Sequence, residues 1–93
     1  MSRPKLPRCL RFKPNVYYFK PQGIPLRQLK EVNLESDELE AIKLHHLDGL
    51  DQTQAALKMK ISQSTFARII AKADHKIALA IITGQAIRIY ESN

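Results

Sequence analysis

Asp51 to Ile70 reads DQTQAALKMKISQSTFARII, and this stretch decides the fold because it encodes two short helices joined by a tight turn. Asp51 followed three residues later by Gln54 fits a capping box, in which a side-chain oxygen and an amide satisfy the orphan backbone donors of a helix start. Ala55, Ala56 and Leu57 continue that helix, and Ala56 is small enough for a second helix backbone to approach it closely. Met59, Lys60 and Ile61 form the turn, with Ile61 as an apolar plug between the helices. Ser62 then caps a second helix by accepting from the amide of Ser64 or Thr65. Within that helix Phe66, Ile69, Ile70, Ala73 and Ile77 recur at helical spacing and make one apolar stripe. On the complementary face Arg68, Lys72 and Lys76 are each four residues apart, so three cations line one side of the helix.

Such an arrangement is a helix-turn-helix, and a cationic face beside a polar amino end suits a helix that reads nucleic acid. Small residues at a crossing occur in any helical hairpin, and a cationic stripe is commonly just a solvated face. What selects the sharper reading is the combination of two caps, the Ala56 to Ile61 spacing, and Phe66 five residues after Ile61.

Outward from this core, a preceding helix is expected to start at Ser36 or Asp37, with Asp37, Glu38 and Glu40 near the positive end of its dipole. Leu39, Ile42, Lys43 and Leu47 share one of its faces, and Asp48-Gly49 stops it. The third helix meets no breaker before Gly84, a natural left-handed stop. Residues 1–35 form a basic, proline-rich arm in which Cys9 to Lys13 alternates apolar and basic residues, as a short strand does. An aromatic cluster, Val16 to Phe19, follows and closes on the turn signal Pro21-Gln22-Gly23. Leu26 to Leu34 is ambiguous between extended and helical structure, with Leu26, Leu29, Val32 and Leu34 expected to be buried. In the last segment, 85–93, Ala86 to Tyr90 alternates again and is read as a second strand, most economically paired with Leu10 to Phe12, within a chain or between chains. The expected fold is therefore mainly α, a tri-helical helix-turn-helix core over residues 36–84 with short β-strands near both termini.

Charge adds an orientation. Residues 1–30 hold eight Lys or Arg and no acid, residues 31–53 one Lys against seven acids, and residues 54–93 six basic against two acidic side chains. A polyanion would meet the amino-terminal arm and the third helix, with the acidic helix turned away. A single cysteine allows no internal disulfide, no signal-peptide apolar region is visible, and the longest apolar run is far short of the about 20 residues that span a membrane. A cytoplasmic protein without membrane insertion is the expectation.

Ile77 to Ile82 is apolar all round the helix, which requires burial on every side. Packing on the first helix would cover the Ile77 and Ile81 side, leaving Ala78, Leu79 and Ile82. Either the terminal strands fold back over them or a second copy does. A homodimer is favoured, since two-fold symmetry also presents two reading helices to DNA.

Residues 34–77, LESDELEAIKLHHLDGLDQTQAALKMKISQSTFARIIAKADHKI, resemble the DNA-binding region 4 of sigma-70-type factors. With FKPQGIPL at Phe19 to Leu26 and the later GQAIRI, nearly the whole chain is similar to a family of small uncharacterised bacterial and archaeal proteins predicted to bind DNA. The resemblance implies a tri-helical DNA-binding core and no enzymatic activity, and the expectation drawn from the whole chain is a sequence-specific binder of double-stranded DNA that regulates transcription. It points to Gln63, Ser64 and Arg68 as base-facing residues, to Lys72 and Lys76 as phosphate contacts, and to Thr65 as suited to either. Ser62 would offer backbone donors to a phosphate at the helix start. Arg3, Lys5, Arg8 and Arg11 would follow a minor groove or the backbone, or else form a solubilising tail. Lys60 departs from the pattern, for such turns usually carry glycine there, and a left-handed non-glycine residue is strained by roughly 1 kcal/mol.

Other chemistries lack support. His45, His46, His75 and Cys9 have no metal-ligand spacing, no glycine-rich phosphate loop exists, Ser62 and Ser64 have no neighbouring base, and no cofactor is called for. Tyr17, Tyr18 and Phe19 suit a core or dimer contact better than base stacking. The competing class of function is a protein-interaction module contacting RNA polymerase or another regulator.

Overall fold

The computed structural model describes residues 15–91. Strand β1 (Asn15–Phe19) is followed by a 3-10 turn (Leu26–Gln28) and strand β2 (Glu31–Leu34). Helix α1 (Ser36–Ile42) runs into a π-helical turn (Lys43–Leu47), and α2 (Gln52–Met59), α3 (Gln63–Thr83) and β3 (Ala86–Glu91) complete the chain. The fold is mainly α, three helices with short strands near both ends, as the periodicity predicts.

The last strand falls where Ala86 to Tyr90 alternates, but the pairing differs from expectation. They form one three-stranded sheet in the order β1-β3-β2, in which β1 runs antiparallel and β2 parallel to β3. The segment read as ambiguous resolves into a turn and a strand, with Val32 and Leu34 buried and Leu26 and Leu29 half-buried. Leu34 lies opposite Ile89 and Tyr17 opposite the same residue from the other side, so β3 is the central strand. The stretch Cys9 to Lys13 lies outside the described residues; the antiparallel partner of β3 is the aromatic cluster instead. Because β2 and β3 are parallel, the chain between them must cross over. That crossover is the whole three-helix unit, so sheet and helices share one body.

Two linked clusters make the core. Ala41, Leu44, Ala55, Ala56, Phe66 and Ile70 pack where the three helices meet, and Leu34, Ala73 and Ile89 pack between α3 and the sheet. Ile42 touches both. Ala56 is buried at the crossing and Ile61 packs against the same cluster, the plug that its position predicts. Phe66, fully buried, is the large residue that fills the space left by three surrounding alanines.

Local ends follow their side chains. Asp51 Oδ1 accepts from Gln54 N–H at 2.8 Å and Gln54 Oε1 from Asp51 N–H at 3.1 Å, the expected reciprocal box. For α1 the cap is Glu35 rather than Ser36 or Asp37: Glu38 reaches back to the Glu35 amide at 2.9 Å, which starts the helix one residue earlier. At the end of that helix the π turn widens the spiral, and Leu44 enters the core while Leu47 stays largely exposed. The expectation that α1 covers Ile81 also fails, since that residue is 69% exposed. The seven-residue α1 is too short to reach the last turns of α3, and only Ile77 is covered, against the sheet side of the core.

Lys60 closes α2 at φ 61°, ψ 41°, the left-handed conformation. No other non-glycine residue among those described has positive φ. A Cβ at this geometry costs roughly 1 kcal/mol, so Lys60→Gly is expected to raise the unfolding free energy by about that amount despite the entropy of the freer chain. A rise in the urea midpoint with unchanged slope checks this, and a fall would show that Lys60 makes a compensating contact.

Candidate nucleic-acid interface

The turn at Lys60 and Ile61 sets the start of α3, and the cap at Ser62 finishes it. Ser62 Oγ accepts from the Thr65 amide at 3.1 Å and donates to Thr65 Oγ1 at 2.8 Å, with Ser64 Oγ at 3.3 Å. These bonds tie Ser62 and Thr65 into the helix end, and Thr65 is half-buried as a result. Gln63 and Ser64 remain exposed in the first turn, where helix donors still lack intrahelical partners. Phe66 and Ile70 hold the opposite side of the helix in the core, so the helix cannot rotate without emptying it.

Arg68 and Lys72 follow on the exposed face, four residues apart and close to the Ser64 side. Gln63 lies about 140° around the helix from Arg68, so the two meet a common surface only if the helix enters it end first. Neither Arg68 nor Lys72 has an ion-pair partner among the described residues. Both line a groove between α3 and the start of α1, together with Glu35, Asp37, Thr65 and Ile69. The acidic helix is thus not turned away from the cationic face, as charge blocks alone suggest. Its first turn forms one wall of the same groove, because α1 must begin beside α3 for Glu38 to meet Lys76.

Residues 1–92 match the family described as "Protein of unknown function DUF134". The chain belongs to that family. It is 53% identical over all 93 residues to a UPF0251 protein of Caldanaerobacter subterraneus subsp. tengcongensis, spanning 79% of that relative. It is 48% identical over 93 residues to a UPF0251 protein of Thermoanaerobacter pseudethanolicus, again spanning 79% of it. A UPF0251 protein of Halothermothrix orenii is 49% identical over 88 residues, which are 95% of this chain and 65% of that protein. No solved structure matches.

Lys76 is the residue of this DUF134 chain whose role the structure changes. Its ammonium donates to Glu38 Oε1 at 2.8 Å and to the Asn33 carbonyl at 2.6 Å. Both side chains are largely withdrawn from water, at 19% and 4% exposure. A lysine that neutralises a buried carboxylate and braces β2 is unavailable to a phosphate, so the expected third cation of the stripe is structural. Spacing alone cannot reveal this, since Glu38 lies 38 residues away in sequence.

The arm cations Arg3, Lys5, Arg8 and Arg11 lie outside the described residues, as does Cys9. Among the described residues no group of three or more His, Cys, Asp or Glu is placed to hold a metal ion. His45 Nδ1 bonds the Leu50 carbonyl at 2.8 Å and His46 Nε2 meets Asp74 at 2.9 Å, both contacts that pin the π turn. Among the described residues no helix is long and apolar enough to cross a membrane. Glu35, Asp37 and Glu38 are the acidic residues of the groove that sequence reasoning missed, because acids at the start of a helix signal only that start.

Proposed function

We propose that this chain binds double-stranded DNA sequence-specifically through α2 and α3 and acts as a transcriptional regulator in the cytoplasm. The observation that carries the reading is the helix-turn-helix pair itself. A capped α3 is held by Phe66 at the Ala56 crossing and leaves Gln63, Ser64, Arg68 and Lys72 exposed on one end. Gln suits adenine and Arg suits guanine in the major groove, while Lys72, further along, suits a phosphate. The likeness of residues 34–77 to region 4 of sigma-70-type factors supports the same docking. No catalytic step and no cofactor enter this reading.

A specific observation favours a second reading, contact with RNA polymerase or another regulator. Glu35 and Asp37 share the groove of Arg68 and Lys72, and a wall of mixed charge also suits a protein surface. Selection of bound fragments from a random genomic DNA pool, followed by salt titration, separates the two. DNA binding predicts enrichment of a common site and a steep linear loss of log affinity with log salt. Absence of any binding at low salt would leave the interaction module standing.

On the DNA reading the two carboxylates hold affinity down. Glu35→Gln with Asp37→Asn is expected to tighten binding to all sequences by about fivefold at low salt, with the gain shrinking as salt screens it. Unchanged affinity across the titration would mean that this wall of the groove does not face the phosphates.

A further inference from the structure

The last turns of α3 carry an apolar surface that is left exposed among the described residues. Ile82 is 82% exposed, Ile81 69%, Phe19 60% and Leu79 38%. Phe19 of β1 and Ile81 of α3 line one shallow groove with Lys20, Pro21 and Ile87. Around the helix Ala78 falls between Ile81 and Ile82, so the surface runs unbroken from that groove across to Leu79. No charged side chain occurs from Ile77 to Thr83.

We infer that this surface is the interface with a second copy of the chain, related by a two-fold axis beside Ile82. α3 brings no charge to this surface, and the exposed Lys20 of the groove is held to the Ile24 carbonyl at 2.8 Å, so the same surface meets itself with no charge at its centre beside Ile82. Its four large side chains expose on the order of 500 Å² of apolar surface, more than an ordinary solvated face carries. Two copies would then bury about 1,000 Å², the lower limit of a specific interface, which corresponds to a reversible dimer. The axis at Ile82 lies at the opposite end of α3 from Ser62, about 30 Å away at the helical rise, so pairing leaves the reading end free. The two reading ends are then at most about 60 Å apart along the helices, and inclined helices bring them to about 34 Å. Half-sites one helical turn apart are within reach, and those two turns apart are not. The interface is independent of the DNA reading, whereas the half-site spacing rests on it.

Sedimentation of the full chain over a concentration series, with footprinting on selected DNA, tests both. The wild-type chain is expected to reach a dimer in the micromolar range. Ile82→Glu is expected to raise the dimer dissociation constant by roughly 100-fold while circular dichroism and the melting temperature of the monomer stay unchanged. Leu57→Glu, on the exposed side of α2, is the control and should still dimerise. A wild-type chain that stays monomeric at high concentration overturns the inference, and so does a dimer untouched by Ile82→Glu and Ile81→Glu together. Protected half-sites about 10 base pairs apart, lost in Ile82→Glu, support the geometry. An Ile82-dependent dimer with no DNA footprint would overturn the DNA reading and leave the interface in place.

Discussion

Replacing Lys76 with methionine is expected to lower the unfolding free energy by about 3 kcal/mol, a large part of the stability of a domain this size. The Lys76 ammonium sits 2.8 Å from the nearly buried Glu38 carboxylate and also bonds the Asn33 carbonyl. Once it is gone, Glu38 retains the Glu35 amide, but its charge stays in a poorly solvated place without a counter-ion. Removing one partner of such a pair costs far more than removing both, because the orphaned charge dominates the loss. Glu38→Leu with Lys76→Met should therefore recover most of what Lys76→Met loses. Urea unfolding of the two single variants and the double variant measures the cycle. Equal stability of Lys76→Met and the wild type would show that the pair is already well solvated.

Arg68→Ala carries the largest expected effect on recognition. One bidentate contact from arginine to guanine discriminates by about 1 to 3 kcal/mol, so affinity for the selected site should fall by roughly 10- to 100-fold. Binding to unrelated DNA should fall far less, and the specificity ratio should collapse with it. Lys72→Ala, one turn further from the helix start, is expected to weaken every sequence alike and to reduce the salt slope by about one. Fluorescence anisotropy over a panel of single-base variants of the selected site distinguishes them. If Arg68→Ala weakens all sequences uniformly, Arg68 contacts phosphate and the base-reading role passes to Gln63 and Ser64.

Lys76 and Arg68 also mark where sequence reading succeeds and where it stops. Both sit on one stripe at four-residue spacing, and helical periodicity assigns them the same face. Only the contact with Glu38 separates them, since it turns one into a brace and leaves the other exposed. The three helices were legible because their signals are local: the Asp51 box, the Ser62 cap, the Gly84 stop and the alanine crossing all act within a few residues. Lys60 was legible as a misfit for the same reason, and its left-handed backbone agrees. The sheet was not. Glu31 to Leu34 is only four residues long, and its pairing with β3 joins segments on either side of the whole helical unit. Such pairing depends on which strands the helices bring together, and no short-range pattern encodes that.

Helix positions, the Asp51 and Ser62 caps, the turn and the exposed candidates Gln63, Ser64, Arg68 and Lys72 follow from the chain alone, because each depends on neighbours within one or two turns. Three features follow only from tertiary structure: β3 at the centre of the sheet, Lys76 committed to Glu38, and Glu35 and Asp37 beside the cationic groove. Each of them joins residues more than 25 positions apart, so it is set by how the packed helices close on the sheet and not by any local preference.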